Sequence, residues 1–166
     1  MPYDPCMRRT SAGILPFRFD GATLQVLLVH PGGPLWARKD AGAWSVPKGE
    51  HGPEDNPLEA ALRELTEETG AAAATIDRGT LVALGTATQK GGKAVTAWAA
   101  ELDLDASAIE SNMFTLEWPP RSGKQQEYPE VDRAAWLDLA TARTKINAAQ
   151  ACFLDRLEQA LARPRG

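Results

Sequence analysis

The alternation of apolar and polar residues along the chain predicts a series of strands and helices. Stretches rich in β-branched and aromatic residues, bounded by Gly, Pro or Asp, are typical of strands. Strands are expected at 10–19, 24–30, 80–89, 94–102, 113–118 and 132–138, with a short extended piece at 43–47. Apolar residues at helical spacing predict helices at 57–69, 139–145 and 148–162. The remaining stretches read as an irregular arm at 1–9, loops at 31–42 and 119–130, and a Gly-rich hairpin turn at 90–93.

The order of these elements favours one fold class. Strands on both sides of one helix, with two further helices at the end of the chain, suit a mixed α/β sandwich. The 166 residues are enough for one sizeable core. Because the chain shows no internal repeat, low-complexity stretch or linker, we expect a single domain over 1–166.

Charge and composition exclude several classes of partner. The net charge is −4 and the sequence pI is about 5.2, with no basic stripe, which argues against binding to a nucleic-acid polymer or an anionic membrane. No stretch reaches the roughly 20 apolar residues of a membrane span. Cys6 and Cys152 form neither a metal-site spacing nor a disulfide framework. We therefore expect a cytoplasmic protein.

The helix at 57–69 has strong signals at both ends. Asn56 is a good N-cap, and Pro57 suits the first helical position. Glu59 completes an Asn-x-x-Glu analogue of the capping box. Gly70 suits the left-handed residue that follows a helix.

Three carboxylates lie on one face of this helix. With Glu64 set at zero on the helical wheel, Glu67 lies at about 300° and Glu68 at about 40°. The apolar residues occupy an adjoining stripe, formed by Leu58, Ala61, Leu62 and Leu65. A solvated acidic face would have the same composition. However, Glu67 and Glu68 lie near the negative end of the helix dipole, and Glu64 repels Glu68 at i,i+4. A bound divalent cation would remove both penalties.

The sequence around this helix, GEHGPEDNPLEAALRELTEETGA, resembles the signature of the Nudix hydrolases, G-x5-E-x7-R-E-U-x-E-E-x-G-U, where U is a bulky aliphatic residue. The matching positions are Gly49, Arg63, Glu64, Leu65, Glu67, Glu68 and Gly70. The first Glu of the pattern falls on Asp55, which is shorter by one methylene but keeps the charge. This departure affects the expected metal affinity and rate rather than the basic chemistry.

The resemblance implies a fold, a metal site and a reaction. The fold would be an α/β/α sandwich with a mixed β-sheet between helices. The metal would be Mg²⁺, with Mn²⁺ as a possible substitute, and hard oxygen ligands suit both. Its ligands would be the carbonyl of Gly49 and the carboxylates of Glu64, Glu67 and Glu68. Arg63 would orient a motif carboxylate. The reaction would be attack of water on a phosphoanhydride of a nucleoside diphosphate linked to another group.

The residue that takes the proton from this water is left open by the sequence. Glu67 and Glu68 are the first candidates, because the family places its base among the motif carboxylates. A late loop supplies the base in some family members, and here that loop offers Glu127 and Glu130. The alternative for both late residues is a solvated position.

Basic and aromatic residues in the predicted loops are the candidates for substrate binding. Lys48 directly precedes Gly49 and is the first choice for contact with phosphate. Other cations in loops or turns are each as easily a solvated charge: Arg38, Lys39, Lys90, Lys93, Arg121 and Lys124. Aromatic residues that can stack a base are Trp36, Trp44, Trp98 and Tyr128. Of these, Trp98 suits the core because it lies in mid-strand. Trp36 and Tyr128 suit a binding role because they lie in predicted loops.

Three functions are compatible with this sequence. The first is a Mg²⁺-dependent hydrolase of a nucleotide, either a nucleoside triphosphate or a dinucleoside polyphosphate. Segments outside the motif are similar to a bacterial Nudix subgroup described as predicted NTP pyrophosphohydrolases and, in part, to dinucleoside polyphosphate hydrolases. The second is a Nudix-fold sensor that binds a nucleotide without cleaving it, and the third is an interaction domain with an incidental acidic helix. The intact carboxylate set favours the hydrolase, acting as a monomer or a homodimer on a small-molecule nucleotide.

Overall fold

The computed structural model describes residues 10–70 and 75–163, so the arm predicted at 1–9 lies outside the described residues. Within these residues eight strands occur in chain order: β1 Thr10–Asp20, β2 Thr23–Pro31, β3 Lys48–His51, β4 Val82–Thr88, β5 Ala94–Glu101, β6 Met113–Glu117, β7 Gln125–Pro129 and β8 Val131–Asp138. The α-helices are α1 Pro57–Thr69, α2 Leu139–Lys145 and α3 Ala151–Ala162. No described helix has the length and apolar character needed to cross a membrane.

Six of the strands form one mixed sheet. Its order is β4-β5-β1-β2-β8, and β3 pairs with β1 beside this path. The central pair β1–β5 is parallel, whereas the other pairs are antiparallel. The strands β6 and β7 form a separate two-stranded antiparallel sheet.

Helices cover both faces of the main sheet. Since the side chains of a strand alternate between the two faces, one strand contributes to the cores on both sides. On β1, Leu15 and Phe17 join the core under α3, which contributes Phe153, Leu154 and Leu157. The alternate residues of β1, Ala12 and Ile14, join the core under α1, which contributes Ala60, Ala61, Leu62 and Leu65. The predicted α/β/α sandwich with a mixed sheet between helices is therefore confirmed.

The sheet is split between β1 and β2, and the segment that carries Lys48 and Gly49 lies in this split. The two strands pair only at positions 17–20 and 23–26 and then diverge. The segment 45–51 fills the gap. Ser45 exchanges backbone hydrogen bonds with Val29 of β2, and the carbonyl of Pro47 accepts the N–H of Ile14 at 3.1 Å. The segment then continues as β3 along positions 10–13 of β1.

The motif helix has the predicted bounds and caps. The side chain of Asn56 accepts the N–H of Glu59 at 3.1 Å. Gly70 adopts a left-handed φ of 75°, and its N–H bonds to the carbonyl of Thr66. Local capping chemistry therefore sets both ends of α1, as the sequence indicates.

The interpretation of 119–130 as a loop is wrong over 125–129, which forms β7. The two-stranded sheet packs Phe114 opposite Tyr128. Gln125, Gln126 and Glu127 are exposed, so β7 lacks the alternation of apolar and polar residues that signals a half-buried strand. The other differences are small. The piece at 43–47 makes only isolated bridges, and 148–150 is a 3₁₀ turn before α3.

Gly13 provides a test of the split, since it lies where β1 meets the inserted segment. A Cβ at position 13 would collide with the carbonyl oxygen of Pro47 and lie 2.8 Å from Cβ of Lys48. We expect Gly13→Ala to cost about 1–3 kcal/mol of folding free energy. This corresponds to a fall in Tm of roughly 3–10 °C in a thermal melt.

The matched control is Gly52→Ala. A Cβ at position 52 would lie 3.4 Å from the Asp55 carboxylate, an ordinary contact. We expect this variant to melt within about 2 °C of the wild type, since open-surface substitutions change stability little. Equal Tm values for the two glycine variants would contradict the close approach of β1 and Pro47.

Candidate active site

The carboxylate of Glu64 lies directly on the backbone of Gly49. A Cβ at position 49 would collide with the carboxyl carbon and both oxygens of Glu64. Glycine is therefore required here by the close approach of α1 to β3. Gly49 and Glu64, which are separated in the sequence motif, are therefore in direct contact in the fold.

Glu68 makes the second contact between α1 and β3. Its Oε2 accepts the backbone N–H of Lys48 at 3.1 Å. Burial, followed by the negative charge of Glu64, raises the pKa of Glu68 to about 8, although Lys48 and this hydrogen bond oppose the rise. In the absence of a cation, Glu68 is thus mainly protonated at neutral pH.

Glu64 belongs to the same electrostatic cluster. Burial raises its pKa, and the negative charges of Glu67 and Glu130 raise it further, whereas Arg63 lowers it. Glu64 also shares a hydrogen bond with Glu67. The three carboxylates of α1 therefore interact, as their helical spacing predicts.

Glu130, at the junction between β7 and β8, brings a fourth carboxylate to the cluster. Its charge raises the pKa of both Glu64 and Glu68. The backbone of Glu130 is fixed, because its N–H donates to the carbonyl of Asn112 at 2.8 Å and its carbonyl accepts the N–H of Gly32 at 2.9 Å. The junction between β7 and β8 is thus anchored beside α1.

An open cleft of about 140 Å³ is lined by three charged residues, Lys48, Glu68 and Glu130. Its lining residues come from β2, the inserted segment, α1 and the start of β8: Val29, Pro31, Ser45, Val46, Lys48, Glu68, Glu130 and Val131. The uncharged part of the lining is mainly apolar. Burial lowers the pKa of Lys48, and the nearby Glu68 charge opposes this effect.

Trp36, Arg38 and Lys39 lie in the exposed loop between β2 and β3, outside the residues that line the cleft. The ammonium of Lys39 lies 4.8 Å from the centroid of the Trp36 ring. The carbonyl of Lys39 accepts a hydrogen bond from Nε2 of His30 at 2.6 Å. His30 is fully buried and also contacts Asp132, so it is a structural residue that ties this loop to the sheet.

The predicted substrate residue Lys90 lies apart from the carboxylates. Lys90 lines a different cleft with Gly42, Gln89 and Asn147. From the same turn, Lys93 pairs with Glu50 at 3.5 Å and its charge lowers the pKa of Lys48. Lys93 is therefore the turn cation that lies beside the motif, and sequence spacing alone cannot distinguish it from Lys90.

Glu127 and Tyr128, which the sequence predicts for the site, do not line the cleft with Glu130. Glu127 is exposed on β7 and does not line the cleft. Tyr128 packs against Phe114 with ring centroids 6.1 Å apart, and its hydroxyl donates to Gln126 at 3.1 Å. Trp44 is buried beside His30 in the core, so it is excluded as a stacking residue.

Asp55 has a local role in the turn before α1. Its carboxylate accepts the N–H of Gly52 at 2.7 Å. Asp55 therefore closes this turn instead of reaching the carboxylate cluster. Asp55, the residue at which the chain departs from the family pattern, therefore stabilises the turn that leads into α1.

The donor set fits a hard divalent cation in its chemistry. Carboxylate and carbonyl oxygens are the ligands that Mg²⁺ prefers, and the cluster has more negative than positive charge. Within 10–70 and 75–163, no three His, Cys, Asp or Glu side chains are already arranged as ion ligands. Glu68 is bonded to the Lys48 N–H, and Glu64 shares a hydrogen bond with Glu67.

Comparisons with known proteins place this geometry in a family. The Nudix domain model matches residues 7–157. Among solved structures, a Caenorhabditis elegans Ap4A hydrolase in a binary complex has a TM-score of 0.65 and 23% identity over 93% of this chain and 98% of that chain. The Nudix domain of Shewanella oneidensis NrtR complexed with ADP ribose has a TM-score of 0.61 and 17% identity, covering 96% of this chain and 94% of that chain.

A third structure, the Nudix hydrolase RenU from M. smegmatis, has a TM-score of 0.59 and 22% identity over 93% of this chain and 86% of that chain. Identities at this level show a shared fold. No curated protein gives a significant match to the chain. The domain match covers most of the sequence and includes the whole carboxylate motif, and it shows that the chain belongs to the Nudix family.

Proposed function

We propose that this protein is a Mg²⁺-dependent Nudix hydrolase that cleaves a phosphoanhydride bond of a nucleotide. The observation that carries the proposal is the packing of Glu64 and Glu68 against Gly49 and Lys48, beside a cleft that Lys48, Glu68 and Glu130 line. A fold gains nothing from burying like charges together unless a cation or a reaction uses them. The substrate is a nucleoside triphosphate or a dinucleoside polyphosphate.

Four residues would hold the metal: the carbonyl of Gly49 and the carboxylates of Glu64, Glu67 and Glu68. Bound Mg²⁺, or Mn²⁺ in its place, would neutralise phosphate charge and lower the pKa of a bound water. Arg63 is exposed, and its charge lowers the pKa of Glu64. Arg63 therefore favours the ionised form of Glu64, which is the form that binds a cation.

Glu130 is our choice for the general base. It lines the cleft, its charge acts on Glu68 of the helix, and it does not belong to the proposed metal set. In the reaction, water attacks phosphorus, its proton passes to the Glu130 carboxylate, and the bond from phosphorus to the bridging oxygen breaks. The leaving phosphate keeps the electron pair of that bond.

Cations and aromatic residues of the surrounding loops complete the proposed substrate site. Lys48 lines the cleft and the charge of Lys93 acts on Lys48, which supports a role for both in binding phosphates. Trp36 and Lys39 form an exposed aromatic-cation pair on the loop after β2, which suits a nucleotide base. One structural neighbour is named as a hydrolase of Ap4A and another is complexed with ADP ribose, which supports a nucleotide with linked phosphates as substrate.

The experiment that tests this function is a hydrolysis assay across a nucleotide panel, with Mg²⁺ and with a chelator. The panel holds canonical and oxidised nucleoside triphosphates, diadenosine polyphosphates, ADP-ribose and a nucleotide sugar. We expect Mg²⁺-dependent cleavage of one class. A folded protein that binds Mg²⁺ and cleaves no member would favour the alternative, a sensor that binds a nucleotide without hydrolysis.

Glu67→Gln and Glu68→Gln test the metal set within this assay. Each change keeps the shape of the side chain but removes a charge that would bind the cation, so turnover should fall by at least about 10²-fold. The fold should survive in both variants. The control is Glu101→Gln, an exposed position at the end of β5, which should keep wild-type turnover. Unchanged turnover in both motif variants would remove the proposed metal site.

Glu130→Gln and Glu127→Gln form a pair that tests the general base. We expect Glu130→Gln to lower kcat by about 10²–10⁴-fold at saturating Mg²⁺. Glu127→Gln, three residues away on the exposed face of β7, should retain the wild-type rate. If Glu130→Gln keeps the wild-type kcat, the base is Glu67 or Glu68.

The raised pKa of Glu68 predicts how the stability of the metal-free protein depends on pH. The folded pKa of about 8 lies above the ordinary value of 4.5, so the protonated form stabilises the fold. This stability is complete below about pH 4.5 and is lost as the pH rises through about 8. We expect the metal-free wild type to lose Tm across this window.

Glu68→Gln should flatten this loss of Tm, because the amide stays neutral, whereas Glu101→Gln should retain the wild-type slope. Mg²⁺ should raise the Tm of the wild type more at high pH than at low pH, because protons compete with the cation. Parallel pH curves for wild type and Glu68→Gln in chelator would contradict the burial of Glu68.

A further inference from the structure

Gln150 is a fully buried amide at the start of α3 that contacts the segment inserted into the sheet split. Its Oε1 accepts the backbone N–H of Val46 at 3.0 Å. Its Nε2 lies 3.1 Å from Oγ of Ser45, to which it donates. A buried polar side chain with all of its contacts directed at one segment is a specific attachment rather than general packing.

The inserted segment needs such an attachment because it lies outside a regular ladder. Ser45 pairs with Val29 on one side, and Pro47 accepts from Ile14 on the other. The N–H of Val46, whose residue is fully buried, points instead to Gln150. A buried N–H without a partner costs free energy, so the side chain of Gln150 replaces the missing strand at this point.

The same segment leads directly to the carboxylate cluster. Only Pro47, whose ring fixes φ, separates Val46 from Lys48. The N–H of Lys48 bonds to Glu68, and the next residue, Gly49, packs under Glu64. A shift at Val46 is therefore passed along a stiff backbone to both contacts between β3 and α1.

The backbone of the α2–α3 connection supports the same attachment. The carbonyl of Lys145 accepts the N–H of Trp44 at 3.0 Å, and the N–H of Asn147 donates to the carbonyl of Trp44 at 2.7 Å. These bonds fix the start of the segment, and Gln150 fixes its middle through a side chain. Gln150 does not line the cleft, so it is not placed to touch a substrate.

We propose that Gln150 is a positioning residue for the carboxylate site. It holds the segment 45–49 where Lys48 meets Glu68 and Gly49 meets Glu64, and it thereby sets the affinity for Mg²⁺. Its effects on turnover and on Mg²⁺ affinity rest on the proposed function, whereas its effect on the position of the segment does not.

The test compares Gln150→Met, which keeps the length of the side chain and removes its hydrogen bonds, with Leu157→Ala. Leu157 is fully buried on the same helix and belongs to the core, so its truncation also lowers Tm. We expect Gln150→Met to weaken Mg²⁺ binding by about 10–100-fold in calorimetry. In the nucleotide assay kcat should fall by a similar factor, and KM should change less.

Leu157→Ala should keep Mg²⁺ affinity within about threefold of the wild type, because it removes core packing but no hydrogen bond of the segment. Loss of Tm without loss of Mg²⁺ affinity in Gln150→Met would overturn the proposal. Equal losses of Mg²⁺ affinity in Gln150→Met and Leu157→Ala would also overturn it, since they would show a general effect of instability.

The wild-type protein supplies a second measurement if Gln150→Met does not fold. In an NMR titration with Mg²⁺, the side-chain amide of Gln150 and the backbone amide of Val46 should shift together with Lys48 and Gly49. The side-chain amide of Gln159, exposed on the same helix, is the control that should not move. Shifts at Lys48 and Gly49 without a shift at Gln150 would overturn the coupling.

Failure of the hydrolase proposal leaves this test intact. If the wild type binds Mg²⁺ but cleaves no nucleotide, the binding constants still decide the role of Gln150. If the wild type does not bind Mg²⁺, hydrogen exchange decides it, because Gln150→Met should then speed exchange of the Lys48 amide more than Leu157→Ala does. Equal exchange of this amide in the two variants would overturn the positioning role.

Discussion

The contact between α1 and β3 is the constraint on which the rest of the site depends. Glu64 rests on Gly49, and Glu68 accepts the N–H of Lys48, so the helix carboxylates are held against backbone. This contact is electrostatically unfavourable, because burial raises the pKa of both acids and nearby negative charges raise it further. The adjoining apolar face of α1 supplies the compensation. Each fully buried leucine on that face contributes about 1.5–3 kcal/mol, and Leu65 is fully buried there.

The split in the sheet explains how a backbone segment reaches this position. Had β1 and β2 stayed paired along their length, the segment with Lys48 and Gly49 would have no place within the sheet. Once they diverge, the segment gains partners on both sides through Val29 and Ile14. Because the segment is irregular, some of its backbone polar groups have no hydrogen-bond partner in a strand ladder. Residues of the α2–α3 connection supply the hydrogen bonds to these groups. The C-terminal helices are therefore part of the support of the site, although no residue of the motif lies in them.

Sequence reasoning succeeds for features that local chemistry determines. Asn56 and Gly70 specify the ends of α1, and the 3.6-residue period places the carboxylates on one face, so both follow without knowledge of the fold. It fails where long-range placement decides between near neighbours. Glu127 and Glu130 are three residues apart, yet the first is exposed on β7 and the second lines the cleft. Lys90 and Lys93 separate in the same way across one turn.

Gln150 and β7 illustrate two further limits. A single amide in an apolar helix gives no signal of its partner about 100 residues away, and only the fold brings it to Val46. The polar strand β7 has no buried face, so its pairing with β6 leaves no mark on the hydrophobic pattern. In both cases the information lies in hydrogen bonds to the backbone, which hydropathy does not report. The sequence shows which positions are buried because buried positions favour apolar residue types. Backbone pairing places little constraint on residue type.

The protonation state of Glu68 connects the stability of the fold with the proposed chemistry. With its pKa at about 8, Glu68 is mainly neutral at pH 7 without a cation. The fold therefore forms without the full charge of the cluster buried against β3. A cation needs the ionised carboxylate, so its binding must release a proton from this cluster. The same burial that makes the site costly to charge thus makes it selective for a positively charged occupant, since only such an occupant offsets the loss of hydration.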